Sequence, residues 1–198
     1  MSQVEEVSED HELLGHDAAV LEMPESTRMV LEWKDLHYSV KNKEILKGVS
    51  GAAYPGELLA LMGPSGSGKS TLLGLLSGKI PSTSKMTGHL AANGERFGKR
   101  YSKESVGFVH QEDMLLPNHS VLETFQFSAD LRLPKSMSPK ERLERIEQVI
   151  SILRLAHVKN SQIGGPFKRG VSGGERKRVS VGLELIRNVS VLLLDEPT

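Results

Sequence analysis

The sequence predicts an α/β fold with a parallel sheet at its core, an antiparallel β region and a helical region. Three observations carry this. A glycine-rich loop, Gly63–Thr71, lies between the apolar run Glu57–Met62 and the apolar helical pattern Thr71–Leu76. A second apolar run, Val191–Leu194, is followed at once by Asp195 and Glu196. Four apolar residues in a row suit a central parallel strand, buried on both faces. Between these lies a long segment, 112–160, whose apolar residues recur with helical period.

The loop reads Gly63-Pro64-Ser65-Gly66-Ser67-Gly68-Lys69-Ser70-Thr71. It matches the phosphate-binding pattern G-x-x-x-x-G-K-[ST], at the strand-to-helix turn that pattern requires. Its glycines let successive N–H groups curl inward around an anion, and the helix start adds partial positive charge. Lys69 is a mobile charge for the outer phosphates, and Ser70 offers a hydroxyl to magnesium.

Composition narrows the class. The 198 residues suffice for one domain with a core, and no cysteine is present, so neither a disulfide framework nor a thiolate metal site is available. No apolar stretch reaches the length of a membrane span, and the acidic N-terminus is unlike a secretory signal. Net charge is zero but unevenly spread. Residues 1–27 carry eight acids and no Lys or Arg, and read as a flexible acidic tail. The body, 28–198, carries an excess of eight positive charges, which suits an anionic ligand.

Taken in order, Met29–Trp33 and Leu36–Val40 read as two strand pieces, Lys41-Asn42-Lys43 as a turn, and Glu44–Ser50 as the returning strand of an antiparallel meander. Tyr38 is either a packed strand aromatic or a ring that stacks on a base. The helix after the loop ends near Gly78, with Pro81 beyond it. Gly88–Gly94 is a strand closing on an Asn-Gly hairpin turn. Val106–His110 is a short strand that delivers Gln111, whose amide can ligate a cation and accept from water.

The helical region, about 112–178, opens helices with capping-box spacing at Ser120–Glu123 and Ser138–Glu141. In the second of these helices Leu143, Ile146, Val149, Ile150 and Leu153 share a face, and Arg142, Glu144, Arg145 and Glu147 take the other. Gly164-Gly165-Pro166 breaks the chain. Ser172-Gly173-Gly174 then opens another helix, whose free N–H groups and dipole form a second anion site. At the end of the last strand Asp195 is placed to hold magnesium, and Glu196 to polarise water.

Together these stretches resemble the nucleotide-binding domain of ATP-binding cassette (ABC) proteins, over residues 29–198. Gly63–Thr71 resembles Walker A, Gln111 the Q-loop glutamine, Val171–Glu175 the signature motif, and Val191–Glu196 Walker B with the catalytic glutamate. The signature often reads Leu-Ser-Gly-Gly-Gln in the family; here its ends are Val171 and Glu175. Tyr38 falls where the family places its adenine-stacking aromatic. Ile45–Gly51, Val109–Asp113 and Lys168–Ser180 resemble the G subfamily, of White type.

The resemblance implies a P-loop NTPase (RecA-like) core carrying an antiparallel β subdomain and an α-helical subdomain. It implies ATP and Mg2+ as ligands. Ser70, Gln111 and Asp195 would organise the metal, with Lys69, Gln111 and Glu196 catalytic. Nucleotide would also contact Ser172, Gly173 and Gly174 of a second cassette, in a head-to-tail homo- or heterodimer. It implies an exporter of lipid, sterol or xenobiotic type, with a transmembrane domain outside this chain and the cassette on the cytoplasmic side of a membrane. The family pattern continues past Walker B with a D-loop and a switch histidine, so the core is expected to be incomplete at Thr198.

Other classes fit less well. No Asn-Lys-x-Asp follows the loop, as a GTPase would require. The 61 positions from Gln111 to Ser172 leave no room for the coiled coils of repair ATPases. A soluble translation-type ABC ATPase and a non-catalytic ATP-binding remnant remain as alternatives. No nucleic-acid partner is expected.

Overall fold

The computed structural model describes residues 28–41, 43–79, 84–98, 104–165 and 168–196. The acidic stretch 1–27, Asn42, Pro81, Pro166 and Thr198 lie outside them.

The architecture is mixed α/β, with an antiparallel sheet, a parallel strand pair and a helical region. Strands β1 (Leu31–Val40) and β2 (Lys43–Ala53) form a hairpin. On its other edge β1 pairs with β3 (Ser84–Ala92), which turns into the short β4 (Glu95–Arg96). The sheet order is β2-β1-β3-β4. The two expected strand pieces are one strand, kinked at Asp35, whose φ is 51°. Leu31 and Trp33 are buried before the kink, Leu36 and Tyr38 after it. These pairs are out of phase by one residue, and the bulge restores them to one face. Asn93 and Gly94 both have positive φ, 51° and 79°, as a two-residue hairpin turn of type I′ requires.

Helix α1 (Lys69–Leu76) follows the phosphate-binding loop and buries Leu72, Leu73, Leu75 and Leu76 in the core shared with the antiparallel sheet. It ends as expected. Gly78, φ 74°, donates to Leu75 O at 2.8 Å, and Lys79 donates to Gly74 O at 3.0 Å, a left-handed stop.

Strands β5 (Val106–Val109) and β6 (Val191–Leu194) pair in parallel, Val106 opposite Val191 through Val109 opposite Leu194. The ladder continues one bond further, from Asp195 N to Val109 O at 3.0 Å. This ladder brings Gln111 and the acids after β6 to the same end of the pair.

The expected strand over Glu57–Met62 does not form. That segment runs without regular hydrogen bonding, and Leu58 and Met62 are 94% and 91% exposed. The physical reason is pairing: an apolar run becomes a strand only where a neighbour takes up its N–H and C=O groups. Among the described residues β6 is paired with β5 alone, and Glu57 N bonds back to Tyr54 O across the Pro55-Gly56 turn.

The helical region contains α2 (Val121–Arg132), α3 (Pro139–Ile152), a 3-10 turn (Ala156–Val158) and α4 (Gly173–Leu185). All three α-helices start in a reciprocal capping box: Ser120 with Glu123, Ser138 with Glu141, Ser172 with Glu175. Their apolar faces meet in a second core that includes Phe125, Ile146, Val149, Ile150, Val179 and Ile186. Gly182 of α4 lies against Phe125, close enough that a Cβ there would stand 2.6 Å from Cε1 of the ring.

Two details differ from the expected α3 pattern. Leu143 is 46% exposed, outside the buried stripe. Arg145 does not join the solvated face. It reaches the end of α4, donating to Leu185 O at 2.7 Å and Ile186 O at 3.3 Å, and its burial lowers its pKa. It thereby satisfies carbonyls that the helix end leaves open. Among the described residues no helix is long and apolar enough to cross a membrane.

Candidate nucleotide-binding site

The loop between Gly63 and Gly68 wraps the N-terminus of α1. Gly68 is the N-cap in the left-handed region, φ 94°, and a Cβ there would stand 2.8 Å from Leu46 Cδ2. Only glycine suits both constraints. The first residue of α1 is Lys69 and the second is Ser70, so both extend from the positive end of the helix.

Lys69 folds back over its own loop. Its Nζ donates to Gly63 O at 2.8 Å and to Pro64 O at 3.0 Å. Ser70 Oγ donates to Asp195 Oδ1 at 3.0 Å, so the loop and the end of β6 meet directly. Gln111, just past β5, donates from Nε2 to Glu196 Oε2 at 2.6 Å. Glu196 has φ 47°, a left-handed conformation rare for a residue with a side chain, at the turn that follows β6. Lys69, Ser70, Gln111, Asp195 and Glu196, named from the sequence, thus form two linked pairs and a lysine at one end of the parallel strands.

These donors fit magnesium. A hydroxyl, a carboxylate and an amide carbonyl are hard oxygen ligands of the type that ion takes, and Ser70 and Asp195 already lie within one hydrogen bond of each other. The loop also fits a polyphosphate, since a helix N-terminus, a curled glycine backbone and one mobile ammonium converge there.

Ser172, Gly173 and Gly174 lie at the start of α4, where Ser172 is the N-cap and closes a capping box with Glu175. The Glu175 carboxylate accepts from Ser172 N at 2.7 Å and from Ser172 Oγ at 2.8 Å. Those bonds hold its pKa below the ordinary value of 4.5, with a smaller contribution from His157, whose Nε2 lies 3.0 Å away. The Ser172 N–H and hydroxyl at this helix start are thus engaged by the chain's own carboxylate. The signal was in the sequence: Ser172 and Glu175 have the same spacing as the other two capping boxes.

Tyr38 is 5% exposed and belongs to the first core, opposite Leu46 in β2. Since Leu46 packs over Gly68, Tyr38 is one side chain removed from the loop.

The Q-loop carries contacts that the motifs did not announce. Lys177 of α4 donates to His110 O at 3.2 Å and Gln111 O at 2.8 Å, and pairs with Asp113 Oδ1 at 3.0 Å. Ser180, one turn further along α4, donates to the same Asp113 oxygen at 2.8 Å.

A family model described as ABC transporter matches residues 46–198, which includes every one of these residues except Tyr38. The chain belongs to the ABC transporter family. With that, the resemblance read from the motifs holds, and the fold is that of a P-loop NTPase. Among curated ABC transporters, the chain is 50% identical over 176 residues to ABC transporter G family member 22 of Arabidopsis thaliana, covering 85% of this chain and 23% of that protein. It is 46% identical over 187 residues to G family member 21 of the same plant, covering 86% and 27%. It is 47% identical over 179 residues to ABC transporter G family member 22 of Dictyostelium discoideum, covering 86% and 29%. The similarity to G members seen in the Lys168–Ser180 stretch thus extends over most of the chain. The chain spans about a quarter of the length of these relatives.

Proposed function

We propose that this chain is the ATP-binding and ATP-hydrolysing cassette of a G-type membrane exporter. The observation that carries the reading is the convergence of Ser70 with Asp195 and of Gln111 with Glu196 beside Lys69. Three stretches distant in sequence supply, at one place, a phosphate cradle, three oxygen donors for Mg2+ and a carboxylate for water.

Each residue then has a part in phosphoryl transfer, which proceeds mainly by positioning and electrostatics. Loop amides and Lys69 hold the phosphates; Lys69 exchanges the Gly63 and Pro64 carbonyls for phosphate oxygens. Ser70, Asp195 and the Gln111 carbonyl would hold Mg2+, which when bound would supply positive charge against the outer phosphates. Glu196 orients the attacking water and accepts its proton. Ser172, Gly173 and Gly174 serve the nucleotide of a second cassette, and Tyr38 lends its ring to the base once uncovered. This assigns a RecA-like core, a second cassette as dimer partner, a membrane domain as the coupled element, and the cytoplasmic face of a membrane as location. Lipids, sterols or xenobiotics are the cargo classes.

The test uses the full protein in membrane vesicles. Wild type is expected to hydrolyse ATP with Mg2+. Glu196→Gln is expected to lose at least about 10²-fold in turnover while still binding ATP. Equal turnover in the two proteins would overturn the reading.

A further inference from the structure

We infer that Lys177 is a positioning residue that fixes Gln111 from behind and makes it travel with the signature helix. The inference rests on the ATPase reading above and concerns residues that no motif assigns.

Lys177 sits on the second turn of α4, whose start is Ser172-Gly173-Gly174. In sequence it lies in the run Glu175-Arg176-Lys177-Arg178, in the first turns of α4. In the structure its side chain is 15% exposed, as is that of Asp113. An ammonium has three N–H donors. Lys177 finds three acceptors for them: His110 O, Gln111 O and Asp113 Oδ1. Ser180 approaches the same carboxylate from the next turn, three residues on and so on the same helix face. Asp113 therefore aims the lysine, and the lysine grips the two carbonyls that flank the Gln111 Cα.

This matters because Gln111 is held on two sides. Its side chain donates to Glu196 at the end of β6. Its backbone is tied to α4. The Q-loop thus bridges the parallel strands, which end in the acids, and the helix that opens with the signature. Any shift of α4 against β5 and β6 moves the Gln111 amide relative to Glu196. Arginine cannot replace the lysine here, because a planar fork does not converge on three acceptors around one nitrogen. A methionine would fill the volume and drop all three bonds.

The experiment is a double-mutant cycle on the full protein in vesicles, with Lys177→Met, Gln111→Ala and the pair. Lys177→Met is expected to lower kcat on the order of ten-fold with the KM for ATP little changed, and to add no further loss in the Gln111→Ala background. Amide hydrogen exchange supplies the second readout: protection over residues 110–113 should fall in Lys177→Met, while that of the α2–α3 core stays. Lys177→Arg should restore neither. Additive losses in kcat, or unchanged exchange over 110–113, would overturn the inference. If Lys177→Met does not accumulate as folded protein, Asp113→Asn, which leaves the lysine but removes the charge that aims it, is put through the same cycle and judged by the same two outcomes. Failure of the underlying reading looks different: wild-type protein would then show no ATP turnover at all, and the exchange measurement would still decide whether Lys177 holds the loop.

Discussion

Ser70 and Asp195, 125 positions apart in the chain, share one hydrogen bond of 3.0 Å. The hydroxyl at the start of α1 donates this bond to the first acid after β6. Two groups that would face one cation are thus already paired, and binding Mg2+ between them needs the hydroxyl only to turn its lone pairs inward. Replacing Asp195 by Asn keeps an acceptor for Ser70 but removes the negative charge. The Mg2+ concentration that half-saturates ATP hydrolysis should rise by at least about 10-fold, read from a Mg2+ titration of the full protein. An unchanged titration would remove Asp195 from the metal site.

Lys69 offers a second test. Its ammonium is satisfied by two carbonyls of its own loop, at 2.8 and 3.0 Å. On the proposed function, nucleotide binding would replace these with charged phosphate oxygens, and hydrogen bonds to charged groups contribute about 1.5–3 kcal/mol each. Lys69→Met should therefore weaken ATP binding by roughly 10- to 100-fold, measured by equilibrium displacement of a fluorescent ATP analogue.

The third concerns pH. The Glu175 pKa is lowered, chiefly by the Ser172 backbone and side-chain hydrogen bonds. A depressed carboxylate contributes stability that is complete above its unfolded pKa, near 4.5, and that is lost as pH falls through the lower folded value. Glu175→Gln removes this titration. The melting temperature of wild type relative to Glu175→Gln should be constant above pH 5 or so and should decline on acidification below the unfolded value. A difference that grows on acidification would contradict the capping geometry.

The fourth tests packing. A Cβ on Gly182 would stand 2.6 Å from Phe125 Cε1 and 2.8 Å from Leu153 Cδ1, in a core where Phe125 is fully buried. Gly182→Val should destabilise the helical core by about 1–3 kcal/mol through overpacking, seen as a lower thermal midpoint. The smaller Gly182→Ala should show the same sign with a lesser shift.

Much of this was legible because its determinants are local. The capping boxes at Ser120–Glu123 and Ser138–Glu141, the Asn93-Gly94 turn and the helix after the glycine-rich loop each depend on residues within a few positions, and all form as read. The parallel strands Val106–Val109 and Val191–Leu194 were legible from apolar runs, and their pairing puts Gln111 beside Glu196. What the sequence did not announce is set by distant partners. Glu57–Met62 has the pattern of a strand but lacks a neighbour to make it one. Tyr38 was open between packing and stacking, and the structure packs it against the core. Arg145 reads as part of a charged face and Lys177 carries no motif role, yet each reaches backbone carbonyls 40 to 67 positions away. The Ser172 N–H and hydroxyl are engaged by Glu175, three residues on, a capping box with the same spacing as the two that were read.

Arg145 holds the far end of α4, and Lys177 meets the Q-loop near its beginning. The helix has 13 residues, a rod of ~20 Å at 1.5 Å per residue. Lys177 stands eight residues from Leu185, ~12 Å along that rod, so with the Arg145 end pinned a tilt of ~5° would carry it through ~1 Å. Such a displacement is comparable to the difference between a made and a broken hydrogen bond. A rod pinned in this way would act as a lever with its fulcrum at Arg145, and the small arc at Lys177 would be delivered to the glutamine that faces Glu196.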